Sequence, residues 1–170
     1  MLVAAAVLGA IIGSFLNALS FRIGTGRSVL HGRSQCMRCG HTLSALDLVP
    51  VISWLALRGR CRYCGVRISP QYPLVEAAAA LLGAGVAWLN PDPLLFAFWF
   101  VVWMELLFCV VYDLRHTVIL WSSLALTACL GVVWAFFAGQ GVASWLAGPA
   151  LAAPLLLISL LSRGRARGWG

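Results

Sequence analysis

Four cysteines form the pattern in this sequence with the clearest chemical meaning. Cys36 and Cys39 make one C-x-x-C pair, and Cys61 and Cys64 make a second pair after 21 intervening residues. Two such pairs can supply four thiolates to one tetrahedral ion, and thiolate ligands suit zinc. Because four cysteines leave no coordination position for substrate water, we expect a structural zinc ion. An iron–sulfur cluster or a redox-active dithiol would use the same residues.

The composition around these cysteines is that of a membrane protein. The chain has 170 residues, of which 62% are hydrophobic and only 10% are charged. This profile predicts an all-α polytopic membrane protein with about five transmembrane helices. The net charge of +7 comes from arginines that lie between apolar runs. We therefore interpret it as a topology signal and expect a lipid bilayer, and no nucleic acid, among the partners.

The apolar runs divide the chain into three regions. Residues 1–21 form the first transmembrane helix, residues 22–72 form a polar zinc-type module, and residues 73–170 hold the remaining helices. A helix needs about 20 apolar residues to cross a bilayer. By this criterion the later spans are expected at about 73–89, 94–112, 118–138 and 142–161.

The arginines predict the orientation of these spans. With five alternating spans, the side that receives residues 22–72, 113–117 and 162–170 carries all 12 arginines. Cytoplasmic loops carry the excess of basic residues, so this side is predicted to be cytoplasmic and the N-terminus to lie outside. A cytoplasmic module would keep its thiols reduced and free for metal.

The first span carries two packing signals. Gly9-x-x-x-Gly13 indicates close contact with another helix. Ser14, Asn17 and Ser20 recur every three residues and so share one helix face. Polar groups within lipid need partners, and we therefore expect this face to look into the helix bundle.

The order of motifs along the first half of the chain resembles one known family. The matching segments are residues 13–17 (GSFLN), 33–39 (RSQCMRC), 47–54 (DLVPVISW), 57–64 (LRGRCRYC) and 68–76 (ISPQYPLVE). Together they are similar to the bacterial prepilin peptidase family, the type IV prepilin leader peptidases. The resemblance implies a multi-pass enzyme of the bacterial cytoplasmic (inner) membrane. It would cleave the leader from prepilin or pseudopilin substrates at the cytoplasmic face, in pilus assembly or protein secretion. Many members also N-methylate the new N-terminus with S-adenosylmethionine.

The resemblance also implies where the chemistry takes place. An aspartic peptidase needs two carboxylates that share one proton. Asp113, at the end of the third span, matches the first catalytic aspartate of the family, although the residues alone favour an interfacial carboxylate paired with Arg115. The second aspartate follows a Gly-x-Gly motif, and this chain reads Gly168-Trp169-Gly170. We therefore expect a chain truncated just before that aspartate, inactive by itself.

The sequence does not assign a role to two other carboxylates, Glu105 and Glu76. Glu105 precedes Asp113 by eight residues, about 12 Å along a helix, which is too far for a shared proton. Glu76 is expected in the first turn of the second span, where the helix dipole favours an anion. The resemblance identifies no residues for the methyl donor. A non-catalytic, zinc-stabilised membrane scaffold or an inactive fragment is the alternative function.

Overall fold

The computed structural model describes residues 1–23, 34–116, 121–139 and 141. Within these ranges the chain is helical and its only β-pairing is two isolated bridges. The expected all-helical fold, with a four-cysteine cluster between the first two long helices, is confirmed. The helices are α1 (Leu2–Arg22), α2 (Ile52–Ala56), α3 (Gln71–Leu89), α4 (Pro93–His116) and α5 (Trp121–Phe137), and a 3₁₀ turn covers Ala45–Leu48.

Three helices of the described ranges, α1, α3 and α4, are long and apolar enough to cross a membrane. The fourth predicted span corresponds to α5, which is apolar but has 17 residues. The fifth, at 142–161, lies outside the described residues, as does the Gly168–Gly170 motif.

Two helix ends differ from the sequence prediction. Helix α3 begins at Gln71 rather than Pro73, because proline is tolerated in a first helical turn, where its missing N–H has no partner in any case. Helix α4 continues to His116, so Asp113 lies in its last turn rather than after it. Polar residues can extend a helix beyond its apolar run.

Helices α1 and α3 pack closely along a line of small residues. A side chain at Gly9 or Gly13 would collide with Ala79 of α3, and one at Gly83 would collide with the backbone of Ala5. Without a hydrophobic driving force between helices in lipid, such backbone contact supplies the van der Waals attraction. The G-x-x-x-G prediction is confirmed.

Helix α4 completes the core of this bundle. Phe100 and Met104 of α4 are buried against Ala79 and Val86 of α3. The chain divides into two compact units, Met1–Leu124 and Ala125–Gly170. The four paired cysteines, Asp113 and the ends of α1, α3 and α4 all belong to the first unit.

Candidate metal centre and candidate active site

The four paired cysteines converge on one point. Their sulfur atoms lie within 4.8 Å of one another, and those of Cys36 and Cys64 are 3.8 Å apart. Sulfurs bound to one tetrahedral zinc-sized ion at about 2.3 Å would be about 3.8 Å apart. The donor set and its spacing therefore fit a four-coordinate metal ion.

Each cysteine pair lies on a tight turn, a knuckle, that the backbone closes in the same way. In the first knuckle the amide of Gly40 donates to the carbonyl of Cys36, and in the second that of Gly65 donates to the carbonyl of Cys61. Both glycines have φ of +70°, a left-handed conformation that other residues rarely adopt. These turns aim both sulfurs of each pair inward.

Backbone amides and neighbouring sulfurs set the protonation of the cluster. The amides of Cys39 and Arg38 donate to the Cys36 sulfur and lower the pKa of this thiol to about 6. The amide of Val66 also acts to lower the pKa of Cys64, but desolvation and hydrogen bonds shared with the other three sulfurs raise it to about 12. The thiolate of Cys36 is thus favoured while Cys64 holds its proton, which a metal ion displaces on binding.

Asp47 ties the rest of the module to the second knuckle. Its carboxylate accepts hydrogen bonds from the hydroxyl and amide of Ser44 at 2.8 and 3.0 Å, and from the hydroxyl of Tyr63 at 3.1 Å. The Nε of Arg62 pairs with it at 2.7 Å. Led by the Ser44 hydroxyl, these donors hold the pKa of Asp47 well below its usual range.

Glu76 attaches the module to helix α3. Its carboxylate is buried and accepts the amide of Val51 at 2.7 Å. Val51 has φ of +62° and ψ of −51°, and the amide of Ile52 bonds back to the carbonyl of Pro50. This γ-turn is a strained conformation for a β-branched residue, so the surrounding contacts must hold it. Glu76 was expected in the first turn of its helix; it lies in the second turn and contacts the module instead.

The ends of α1, α3 and α4 meet in a polar cluster next to the module. Asn17 is fully buried and its side-chain carbonyl accepts Nε2 of Gln71 at 3.1 Å. His116 Nε2 lies 3.0 Å from the carbonyl of Ser20, whose hydroxyl donates to the carbonyl of Asn17. The polar face of the first span thus looks into the bundle, as predicted.

Aromatic rings cover this cluster. Phe21 stacks on Tyr72 at 5.3 Å between ring centroids, and the guanidinium of Arg115 lies 3.3 Å above the Phe21 ring. His116 stacks on Tyr112 at 4.4 Å. Arg115 therefore makes a cation–π contact with α1, and among the described residues it forms no ion pair with Asp113.

Asp113 is exposed on the last turn of α4, between Tyr112 and the Arg115–His116 pair. In the part of the chain that the structure describes, its carboxylate has no hydrogen-bond or ion-pair partner. The interfacial ion pair with Arg115 that the residues alone favoured is therefore not formed. Asp113 thus differs from Glu105 and Glu76, whose carboxylates accept hydrogen bonds from other described residues.

Glu105 lies deeper in α4 and is engaged locally. The Ser123 hydroxyl donates a short hydrogen bond to its Oε1, and the Cys109 sulfur lies 3.9 Å from the same oxygen and 3.2 Å from Ser123. A carboxylate within an apolar helix needs such partners. Glu105 holds α4 to the start of α5.

Sequence reasoning missed the long-range polar contacts of this end of the bundle. Nothing in the local sequence of His116 indicates its contact with Ser20. Gln71 and Glu76 both fall within the ISPQYPLVE segment, so the motif was the available signal.

Comparison with known proteins identifies a family that this chain resembles. Residues 7–90 match the Bacterial Peptidase A24 N-terminal domain, a segment that contains all four paired cysteines. A protein of Myxococcus xanthus (strain DK1622) named prepilin leader peptidase/N-methyltransferase is 53% identical over 76 residues, covering 45% of this chain and 23% of that protein. No solved structure matches this chain.

Two further proteins with the same name match longer stretches. The one from Pseudomonas putida is 43% identical over 106 residues, covering 49% of this chain and 37% of that protein. The one from Dichelobacter nodosus is 34% identical over 133 residues, covering 62% of this chain and 46% of that protein. The chain thus spans less than half the length of these relatives. On the domain match and on these identities, residues 7–90 of the chain are similar to the N-terminal domain of the prepilin peptidase family.

Proposed function

We propose that this protein is a membrane aspartic endopeptidase that cleaves the leader peptide of type IV prepilins or pseudopilins at the cytoplasmic face. The observation that carries the proposal is the match of residues 7–90 to the peptidase domain, together with relatives named prepilin leader peptidase/N-methyltransferase. The arginine distribution supports a multi-pass protein of the bacterial inner membrane with its N-terminus outside and its module in the cytoplasm. The proposal includes the division of the chain into a first transmembrane helix at 1–21, a zinc-type module at 22–72 and a region of further transmembrane helices at 73–170.

Asp113 is the proposed catalytic carboxylate. In an aspartic peptidase one ionised carboxylate takes a proton from the attacking water, and a second, protonated one polarises the scissile carbonyl. Asp113 suits the first role because it is exposed at the helix end nearest the module and has no partner among the described residues.

The other acidic residues of the sequence differ from Asp113 because each has a partner in the structure. The sequence has five acidic residues, and all lie in the described ranges. Four of them are occupied: Asp47 by Arg62, Glu76 by Val51, Asp92 by the first amides of α4, and Glu105 by Ser123. None of these four is therefore proposed as the second carboxylate beside Asp113.

Zinc is the proposed occupant of the four-cysteine cluster, through Cys36, Cys39, Cys61 and Cys64. Four thiolates close its coordination shell, so its role is to fold the module rather than to activate water. The name of the relatives also includes N-methyltransferase. We therefore propose S-adenosylmethionine as methyl donor for the new N-terminus of the cleaved pilin.

The test is Asp113→Asn in the full-length gene product, in membranes with a prepilin substrate. Loss of the ionised base should lower the cleavage rate by at least about 1,000-fold, on the scale of losing a member of a catalytic constellation. The matched control is Asp92→Asn, at the opposite end of α4, where an asparagine can still accept the amides of Leu94 and Leu95. Wild-type cleavage by Asp113→Asn would overturn the assignment, and no cleavage by the wild-type protein would favour the non-catalytic scaffold.

A further inference from the structure

Three arginines line one open groove on the module. The groove has a volume of about 640 Å³, and its walls include Arg58, Arg60 and Arg67. All three are exposed, and none has a carboxylate partner among the described residues. No acidic residue is among the described residues that line the groove, so its three arginines have no carboxylate beside them there.

The backbone forces two of these charges together. Arg60 and Arg67 are paired across an antiparallel β-bridge. Like charges directly opposite one another on neighbouring strands destabilise the pairing. The bridge is fixed from both sides, because the amide of Cys61 donates to Val66 and that of Ile68 donates to Gly59. An anion bound between the arginines would convert this repulsion into attraction.

The third arginine reaches the groove through an unusual backbone conformation. Arg58 has φ of +51°, in the left-handed region that residues other than glycine seldom occupy. This conformation reverses the chain between α2 and the bridge, and so brings Arg58 to the same groove as Arg60. The same conformation closes the C-terminal end of α2, where the amide of Gly59 donates to the carbonyl of Trp54 and that of Arg58 to the carbonyl of Leu55.

The groove lies where a membrane surface would be. Its wall includes Ser69 and Pro70, which directly precede α3, a helix long and apolar enough to cross a membrane. Trp54 forms another part of the wall, and its indole N–H donates to the carbonyl of Ile68 at 3.2 Å. Tryptophan is enriched at the level of the lipid headgroups. Leu74, in the first turn of α3, exposes 66% of its surface.

We propose that this groove binds the headgroup of an anionic phospholipid, with Arg58, Arg60 and Arg67 around its phosphate. Guanidinium groups bind phosphate oxygens through paired N–H donors, which explains arginine at all three positions. The location next to α3 identifies the phosphate as that of a membrane lipid rather than of a soluble anion. The inference does not depend on peptidase activity.

The test measures lipid binding by the full chain in neutral detergent. Phosphatidylglycerol and phosphatidylcholine are titrated separately, and bound lipid is counted by native mass spectrometry. Each basic residue near an anionic membrane surface contributes about fivefold to binding. We expect Arg67→Gln to weaken phosphatidylglycerol binding about fivefold, and the triple glutamine variant on the order of 100-fold. The matched control is Arg38→Gln, an exposed arginine of the same module outside the groove, which should bind as the wild type does.

A second readout separates a binding role from a structural one. Without anionic lipid, Arg67→Gln should be at least as heat-stable as the wild type, because it relieves the repulsion with Arg60. Phosphatidylglycerol should then stabilise the wild type and not the variant.

Three results would overturn the proposal. One is equal binding of both lipids by the wild type, a result that does not depend on whether any variant folds. Another is wild-type binding of phosphatidylglycerol by a folded triple variant. The third is inorganic phosphate binding as tightly as the lipid, which would assign the groove to a soluble anion.

Discussion

The two knuckles of the module share a backbone and differ in the side chains that they carry. Each has a glycine with φ of +70° after its second cysteine, and each is flanked by one β-bridge. The first bridge pairs Gln35 with Thr42, two neutral residues, whereas the second pairs Arg60 with Arg67. The duplicated backbone is what four converging sulfurs require, while the bridge residues are not among the metal ligands and can differ between the knuckles.

The difference extends to what each knuckle contacts. Arg62 and Tyr63 of the second knuckle donate hydrogen bonds to Asp47. From this knuckle the chain continues through Ser69 and Pro70 into α3. The first adds His41, which lies 3.6 Å from the Tyr63 ring between centroids. The first knuckle thus completes the sulfur cluster, and the second also connects it to the membrane helices.

The largest expected effect tests whether the two knuckles share one ion. Cys36→Ser/Cys39→Ser and Cys61→Ser/Cys64→Ser should both abolish metal binding, because structural zinc sites release about 10–16 kcal/mol and two ligands cannot retain the ion. Metal content by mass spectrometry should fall from one per chain to near zero in both variants. Hydrogen exchange of residues 34–70 should accelerate in parallel.

The control for this pair is Cys129→Ser, an exposed cysteine outside the cluster, which should keep the ion. A variant of one knuckle that retained stoichiometric metal would contradict a shared site.

This comparison also separates what the sequence predicts from what it does not. The cysteine spacing and the long apolar runs act locally, so the quartet and the three long helices could be predicted. The bond from Val51 to Glu76 and the contact of His116 with Ser20 join residues 25 and 96 positions apart. Their existence depends on how the helices pack, which no local pattern encodes. The arginine groove was missed for the same reason, because the bridge alone brings Arg60 and Arg67 together.

A smaller effect concerns Asp47, which contacts the second knuckle through Arg62 and Tyr63 but makes no hydrogen bond to the described residues of the first. Asp47→Asn removes the ionised acceptor of Arg62 and should lower the stability of the module by about 2 kcal/mol at neutral pH. Because the pKa of Asp47 is depressed on folding, its stabilisation is complete above the ordinary carboxyl pKa of about 3.9. It is lost as the pH falls toward the lower value of the folded state.

Thermal midpoints of wild type and variant, compared from pH 7 to pH 3, test this dependence. A difference between the two midpoints that grew as the pH fell would contradict the role of Asp47.

The smallest expected effect asks whether the two knuckle backbones are equivalent in energy as well as in shape. Gly40→Ala and Gly65→Ala each place a Cβ in open space, with no atom within 4 Å, so the cost is conformational rather than steric. A left-handed alanine costs about 1–2 kcal/mol, and asparagine, which tolerates this conformation, should cost less. We expect equal losses of module stability at the two positions, measured by hydrogen exchange, with Gly→Asn as the milder variant at each. A larger loss at Gly65 would mean that the contacts of the second knuckle with Asp47 and α3 leave it less room to relax, and the equivalence would then hold for shape alone.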